Sequence, residues 1–150
     1  YSTYLYIGRA LQLIEQRNRS QPFFLYLPLQ NVHGPTESPQ RFKDMYPDNA
    51  TMQAYRLKIM ACMSAMDEGV ANLTNALDRA GMWENTVLVF QADNGGDVGG
   101  GGFGMYNWPL RGGKWTNWEG GVRVASFIHS PLLPKQWFYF PFLGLRDTIP

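Results

Sequence analysis

The chain of 150 residues is poor in several things at once. It has one cysteine, Cys62, so no disulfide can close within it, and cysteine usage says nothing about the redox compartment. Its 13 basic and 12 acidic residues nearly cancel to a net charge of +1, and no basic patch is evident. Neither nucleic acid nor an anionic membrane surface is an expected partner. No apolar run reaches the roughly 18 residues that span a bilayer. The chain opens at Tyr1 without methionine, basic flank or signal-like stretch, and reads as the inside of a longer protein. No internal repeat is present.

What remains is one domain's worth of chain, long enough to bury about two thirds of its unfolded surface. Tyr4, Ile7, Leu11 and Ile14 keep helical spacing, and the polar run Gln16 to Gln21 closes that helix before Pro22. Phe23 to Leu27 reads as a buried strand. Pro28 to Asn49 contains four prolines and no sustained period, which predicts a long loop carrying His33. From Thr51 to about Ala80, the residues Met52, Tyr55, Ile59, Cys62, Met66, Val70, Leu73 and Leu77 recur every three or four positions. This is the clearest amphipathic helix; its methionines read as core, and Gly81 is placed to end it. Val122 to Ile128 supplies another strand. Helices alternating with strands predict an α/β layered fold, helices packed on a largely parallel sheet.

The run Val87-Leu88-Val89-Phe90 reads as a strand buried on both faces, ending at Asp93-Asn94-Gly95-Gly96. The carboxyl end of such a strand is where open α/β sheets place their sites. A carboxylate beside an amide oxygen is ligand chemistry for a hard cation, and the glycines let backbone approach a bound group. The same four residues also form ordinary capped turns. Downstream, Asn107-Trp108-Pro109-Leu110-Arg111-Gly112-Gly113-Lys114 and Trp118-Glu119-Gly120-Gly121-Val122-Arg123 mix cations, glycines and indoles, which fits an anionic substrate. A phosphate-binding P-loop is excluded, because Trp108 and Trp115 stand where it needs a glycine and a Ser or Thr.

Four blocks in order, Pro22 to His33, Met66-Asp67-Glu68-Gly69-Val70, Asp93 to Gly96 and Asn107 to Arg123, resemble the sulfatases, in their arylsulfatase B-like branch. The likeness runs from about Tyr4 to Pro134. It implies an alkaline-phosphatase-like α/β core and calcium-assisted hydrolysis of sulfate esters. In such enzymes a formylglycine, made from cysteine in Cys-x-Pro-x-Arg, supplies the nucleophile. That motif is absent here: Cys62 is followed by Met63, Ser64, Ala65 and Met66. The formylglycine and two metal-binding aspartates are expected in a missing amino-terminal part, so this chain, residues 1–134 of it, is a partial catalytic domain. Residues 135–150, an aromatic-rich tail, match no family pattern.

By the resemblance, Asp93 and Asn94 are metal ligands for calcium, Lys114 contacts the sulfate, and His33 contacts the ester and donates a proton to the departing alcohol. Partners are a sulfate ester substrate, including sulfated glycans, with no nucleic acid and no membrane span; the location is lysosomal or secreted. Sequons at Asn18, Asn49 and Asn72 fit that route. Other residues carry structural expectations: His129 as a strand-end residue, Arg111 and Arg123 in ion pairs with Glu119 and Asp97, Asp67 and Glu68 as solvated or capping groups. Trp108, Trp115 and Trp118 either stack on a sugar or pack the loop. Two further readings stay open: a noncatalytic protein binding sulfated glycans, and a phosphohydrolase of the same superfamily with a Ser or Thr nucleophile upstream.

Overall fold

The computed structural model describes residues 1–46, 54–99 and 104–134. The Asn49 sequon, the helical turn expected at Thr51 and Met52, the glycines at 100–102 and the tail 135–150 lie outside the described residues. The fold divides into two compact units, Tyr1–Trp83 and Glu84–Pro150.

The first unit is helical: α1 spans Ser2–Gln16, α2 Gln40–Lys43 and α3 Ala54–Arg79. The buried stripe of α1 is Thr3, Ile7, Ala10 and Ile14, displaced from the expected one because Tyr4 is exposed and Leu11 half-buried. On α3 the buried residues are Ile59, Ala61, Cys62, Ala65, Gly69 and Ala76, whereas Met66, Val70, Leu73 and Leu77 are only half-buried. Small residues set how close two helices come. A β-carbon on Gly69 would stand 3.0 Å from Ile7 Cγ1 and 3.7 Å from Thr3 Cγ2, so α1 rides directly on the α3 backbone there. Burying Ile7 and Ile14, 4% and 1% exposed, stabilises this contact by about 1.5–3 kcal/mol each.

The end of α3 follows the expectation. Gly81 has φ +64, its N–H donates to Asp78 O, and Met82 N–H donates to Leu77 O, a Schellman closure. Arg17 ties both helix ends together, donating Nη1 to Ile14 O at 2.7 Å and Nη2 to Ala80 O at 3.0 Å. Phe42 of α2 packs on Ala61 and Ala65 of α3, which puts a short helix inside the expected loop.

Phe23 to Leu27, expected as a buried strand, is not one. Its side chains alternate between half-buried and exposed, with Phe24 89% and Tyr26 78% exposed, but it joins no ladder among the described residues. Alternation alone makes an extended chain; a strand also needs a partner backbone.

In the second unit a 3₁₀ turn, Trp83–Asn85, leads into β1, Leu88–Gln91; α4 is Glu119–Val122 and β2 Ser126–His129. The strands pair antiparallel, Leu88 opposite His129 and Phe90 opposite Phe127, whose rings stack at 5.2 Å. Among the described residues the sheet has these two strands only, so the expected largely parallel sheet is not what this unit contains. Nor is β1 covered on both faces, since Val87 and Val89 are 57% and 62% exposed. The strand expected from Val122 begins at Ser126, because Val122 closes α4.

Candidate active site

The chain leaving β1 meets the loop 107–121 backbone to backbone. Gly95 N–H donates to Gly121 O at 2.9 Å, Lys114 N–H to Gly96 O at 3.0 Å, and Gly120 N–H to Arg111 O at 2.8 Å. No side chain fits between them. A β-carbon on Gly95 would lie 1.7 Å from Gly120 O, and one on Gly113 2.5 Å from Gly96 O. The glycines expected to admit a bound group instead admit one another's main chain.

Asn107 locks this junction. It is 5% exposed; its Oδ1 accepts from Gly96 N at 2.9 Å, and its Nδ2 donates to Gly96 O at 2.8 Å and to Gly112 O at 3.1 Å. One amide thus pairs both sides of the Gly96 peptide as a neighbouring strand would, and holds the Lys114 loop two residues from Asn94. Sequence reasoning assigned Asn107 no role. The available signal was its position: glycine-rich segments have no side chains to satisfy each other's peptides, so a buried amide beside them is the group able to do it.

Asp93 is exposed and Asn94 half-buried. Asp93 Oδ1 accepts the Asn94 N–H at 2.8 Å, and Asn94 Nδ2 donates to Gly95 O at 2.9 Å. Each residue therefore uses one polar atom to fix its own turn, which leaves Asp93 Oδ2 and Asn94 Oδ1 with no hydrogen-bond partner among the described residues. The capped turn and a ligand role do not compete, because they use different atoms of the two side chains. Both are hard donors of the kind calcium takes, but calcium takes six to eight. Among the described residues no three His, Cys, Asp or Glu side chains gather as a metal site. The pair fits part of a calcium site.

Lys114 is half-buried; its ammonium has no carboxylate partner among the described residues and lies 5.2 Å from the Trp115 ring centroid. Arg111 does not form the expected ion pair: its guanidinium stacks 3.7 Å over Trp118. Glu119 instead pairs with Arg123 at 3.4 Å, one helical turn on. An unpaired ammonium and a guanidinium on an aromatic face are both available to an anion.

His33 belongs to the first unit, in an exposed turn closed by its N–H on Gln30 O at 2.8 Å. Its Nδ1 lies 2.9 Å from Gly34 O. A carbonyl only accepts, so Nδ1 carries a proton in this contact, and Nε2 is the ring nitrogen not used by it. The turn is anchored by Asn31, whose Nδ2 donates to Cys62 O and to Tyr1 Oη, both at 2.9 Å, while Thr3 Oγ1 donates to Asn31 Oδ1. Cys62 is 3% exposed, donates its thiol to Glu37 O, and burial pushes its pKa up. It is a packed thiol in which burial outweighs the opposing pull of Lys43, the reverse of an activated nucleophile. Glu68, expected as a solvated or capping group, takes both guanidinium nitrogens of Arg41, which holds its carboxyl below the usual range.

A family model described as Sulfatase matches residues 1–145. The chain is 41% identical to arylsulfatase J of Mus musculus over 136 residues, covering 91% of itself and 22% of that protein. It is 34% identical to steryl-sulfatase of Mus musculus, covering 92% of itself and 22% of that protein. A solved structure titled as Ps i-CgsB in complex with k-i-k-neocarrahexaose superposes with a TM-score of 0.80 at 32% identity, covering 88% of this chain and 28% of that one. The chain spans about a fifth of the length of the curated relatives it matches. Together, the match of nearly the whole chain and the order of its blocks show that the chain belongs to the sulfatase family.

Proposed function

We propose that the protein hydrolyses sulfate esters and that this chain supplies part of the active site. The observation that carries this is the Asn107-clamped junction, which sets the Asp93-Asn94 oxygens and the cation-bearing Lys114 loop on one rigid piece of backbone. Asp93 Oδ2 and Asn94 Oδ1 are the atoms that would hold calcium. Bound there, the ion would neutralise charge on sulfate oxygens.

Lys114 binds the sulfate group and stabilises charge building on the ester oxygen as the S–O bond breaks, an electrostatic role suited to a point cation. His33 gives a proton from Nε2 to the departing alcohol. The nucleophile, formylglycine, and the other metal ligands come from outside these 150 residues, so the chain by itself is inactive. The substrate class is sulfated glycans, in keeping with the oligosaccharide complex of the structural relative. Residues 1–134 form the partial catalytic domain, and the protein is a lysosomal or secreted glycoprotein. Among the described residues no helix is long and apolar enough to cross a membrane.

The test is release of 4-nitrophenol from 4-nitrophenyl sulfate by the full-length protein, with calcium and after chelation. Activity is expected to need calcium and to fall about 100-fold or more in Lys114→Ala, the range for removing one oxyanion-stabilising donor. Calcium-independent activity, or a Lys114→Ala protein as fast as wild type, contradicts the assignment. Specific retention of a sulfated glycan without any turnover supports the noncatalytic reading instead.

A further inference from the structure

Gly113 to Thr116 form a hydrogen-bonded turn: Thr116 N–H donates to Gly113 O at 3.0 Å, and the Thr116 hydroxyl donates to the same oxygen at 2.7 Å. Its third residue, Trp115, has φ +75. That is the position where turns of this type place glycine or asparagine, and a bulky side chain there is strained. The indole gains no packing in return, being 85% exposed. A strained aromatic residue kept in the open, beside a turn residue with an unpaired ammonium, is a residue held for a ligand.

Resting on the sulfate-ester reading, we propose that Trp115 is the platform on which the sugar ring of a sulfated glycan stacks while Lys114 takes its sulfate group. Turn geometry sets both side chains at one tip, ring centroid and Nζ 5.2 Å apart. A pyranose offers an apolar C–H face to an indole and a sulfate at its rim to the cation, so one sugar satisfies both. Thr116 and Asn117 are exposed next to Trp115, and Arg111 lies over the Trp118 ring. The Arg111–Trp118 pair is suited to a second sulfate on a longer chain.

Glycine suits φ +75, so Trp115→Gly relieves strain while removing the platform. In the full-length protein it is expected to hold or raise the unfolding temperature. It should lower the ratio of kcat/KM for a neocarrahexaose to that for 4-nitrophenyl sulfate on the order of tenfold. Trp115→Phe, which keeps an aromatic face, should restore most of that ratio. Binding of the hexasaccharide, followed by tryptophan fluorescence, should weaken by the same factor. An unchanged ratio with unchanged binding, or a loss shared equally by both substrates, overturns the platform. Wild-type protein that binds the hexasaccharide through Trp115 but hydrolyses neither substrate sinks the sulfatase reading alone. If wild type binds neither probe, both fall.

Discussion

The two units are held together by opposite means. In Tyr1–Trp83 helices meet through side chains: Ile7 over Gly69, Phe42 on Ala61 and Ala65, Ile14 fully buried. In Glu84–Pro150 the junction that carries Asp93, Asn94 and Lys114 is largely main chain against main chain, with the Asn107 amide hydrogen-bonded across it. The first kind of packing absorbs small changes of volume by moving rotamers. The second has less room to do so, because its closest contacts are between hydrogen-bonded backbone segments.

Gly→Ala substitution separates the two units in sign. Gly95→Ala places a β-carbon 1.7 Å from Gly120 O and should destabilise the second unit by about 3 kcal/mol or more. Denaturant unfolding and limited proteolysis after residue 84 would read this, and a mild effect would mean the junction is looser than its geometry. Removing the clamp comes next. Asn107→Ala leaves the Gly96 peptide short of partners and should lose about 1–3 kcal/mol. Asn107→Asp should lose more, since a carboxylate would face the Gly96 and Gly112 carbonyls; equal losses would show that Nδ2 contributes little.

Gly8→Ala runs the other way. Nothing lies within 4 Å of its added β-carbon, and the residue is inside α1, so thermal unfolding should show a gain of about 0.5–1 kcal/mol. A loss would place α1 closer to its neighbours than the structure does. The smallest effect concerns Arg41 and Glu68, an exposed pair. Hydrogen bonds from Arg41 lower the Glu68 pKa, so the pair's contribution is present above the ordinary glutamate value near 4.3 and fades as pH falls through the lowered one. The stability gap between wild type and Glu68→Gln should therefore close between pH 5 and pH 3; a gap constant over that window would assign the effect to packing.

Elements that local chemistry dictates were legible in the residues. The end of α3 at Gly81 and the arrival of β1 at Asp93-Asn94 follow from turn chemistry and apolar runs. Pairing was not legible. A strand's partner and its direction depend on residues about forty positions away, so β1 was read into a parallel sheet when its neighbour β2 runs antiparallel. Helix faces erred for a related reason. Periodicity weights large apolar residues, yet α1 meets α3 over Gly69, and Phe42 of α2 packs on Ala61 and Ala65. Of the proposed site residues, the Asp93-Asn94 pair was singled out by the end of an apolar strand, and Lys114 through the resemblance. Asn107 and the stacking of Arg111 were missed, because buried amide pairing and cation–aromatic contact leave no periodic trace.

The extended run Phe23 to Leu27 has a practical corollary. With Phe24 and Tyr26 standing in solvent and no ladder on its peptide groups among the described residues, it is an extended segment whose peptide groups can pair with another chain. A preparation of these 150 residues alone should grow oligomeric as it is concentrated, and replacing Tyr26 with lysine should keep it dispersed.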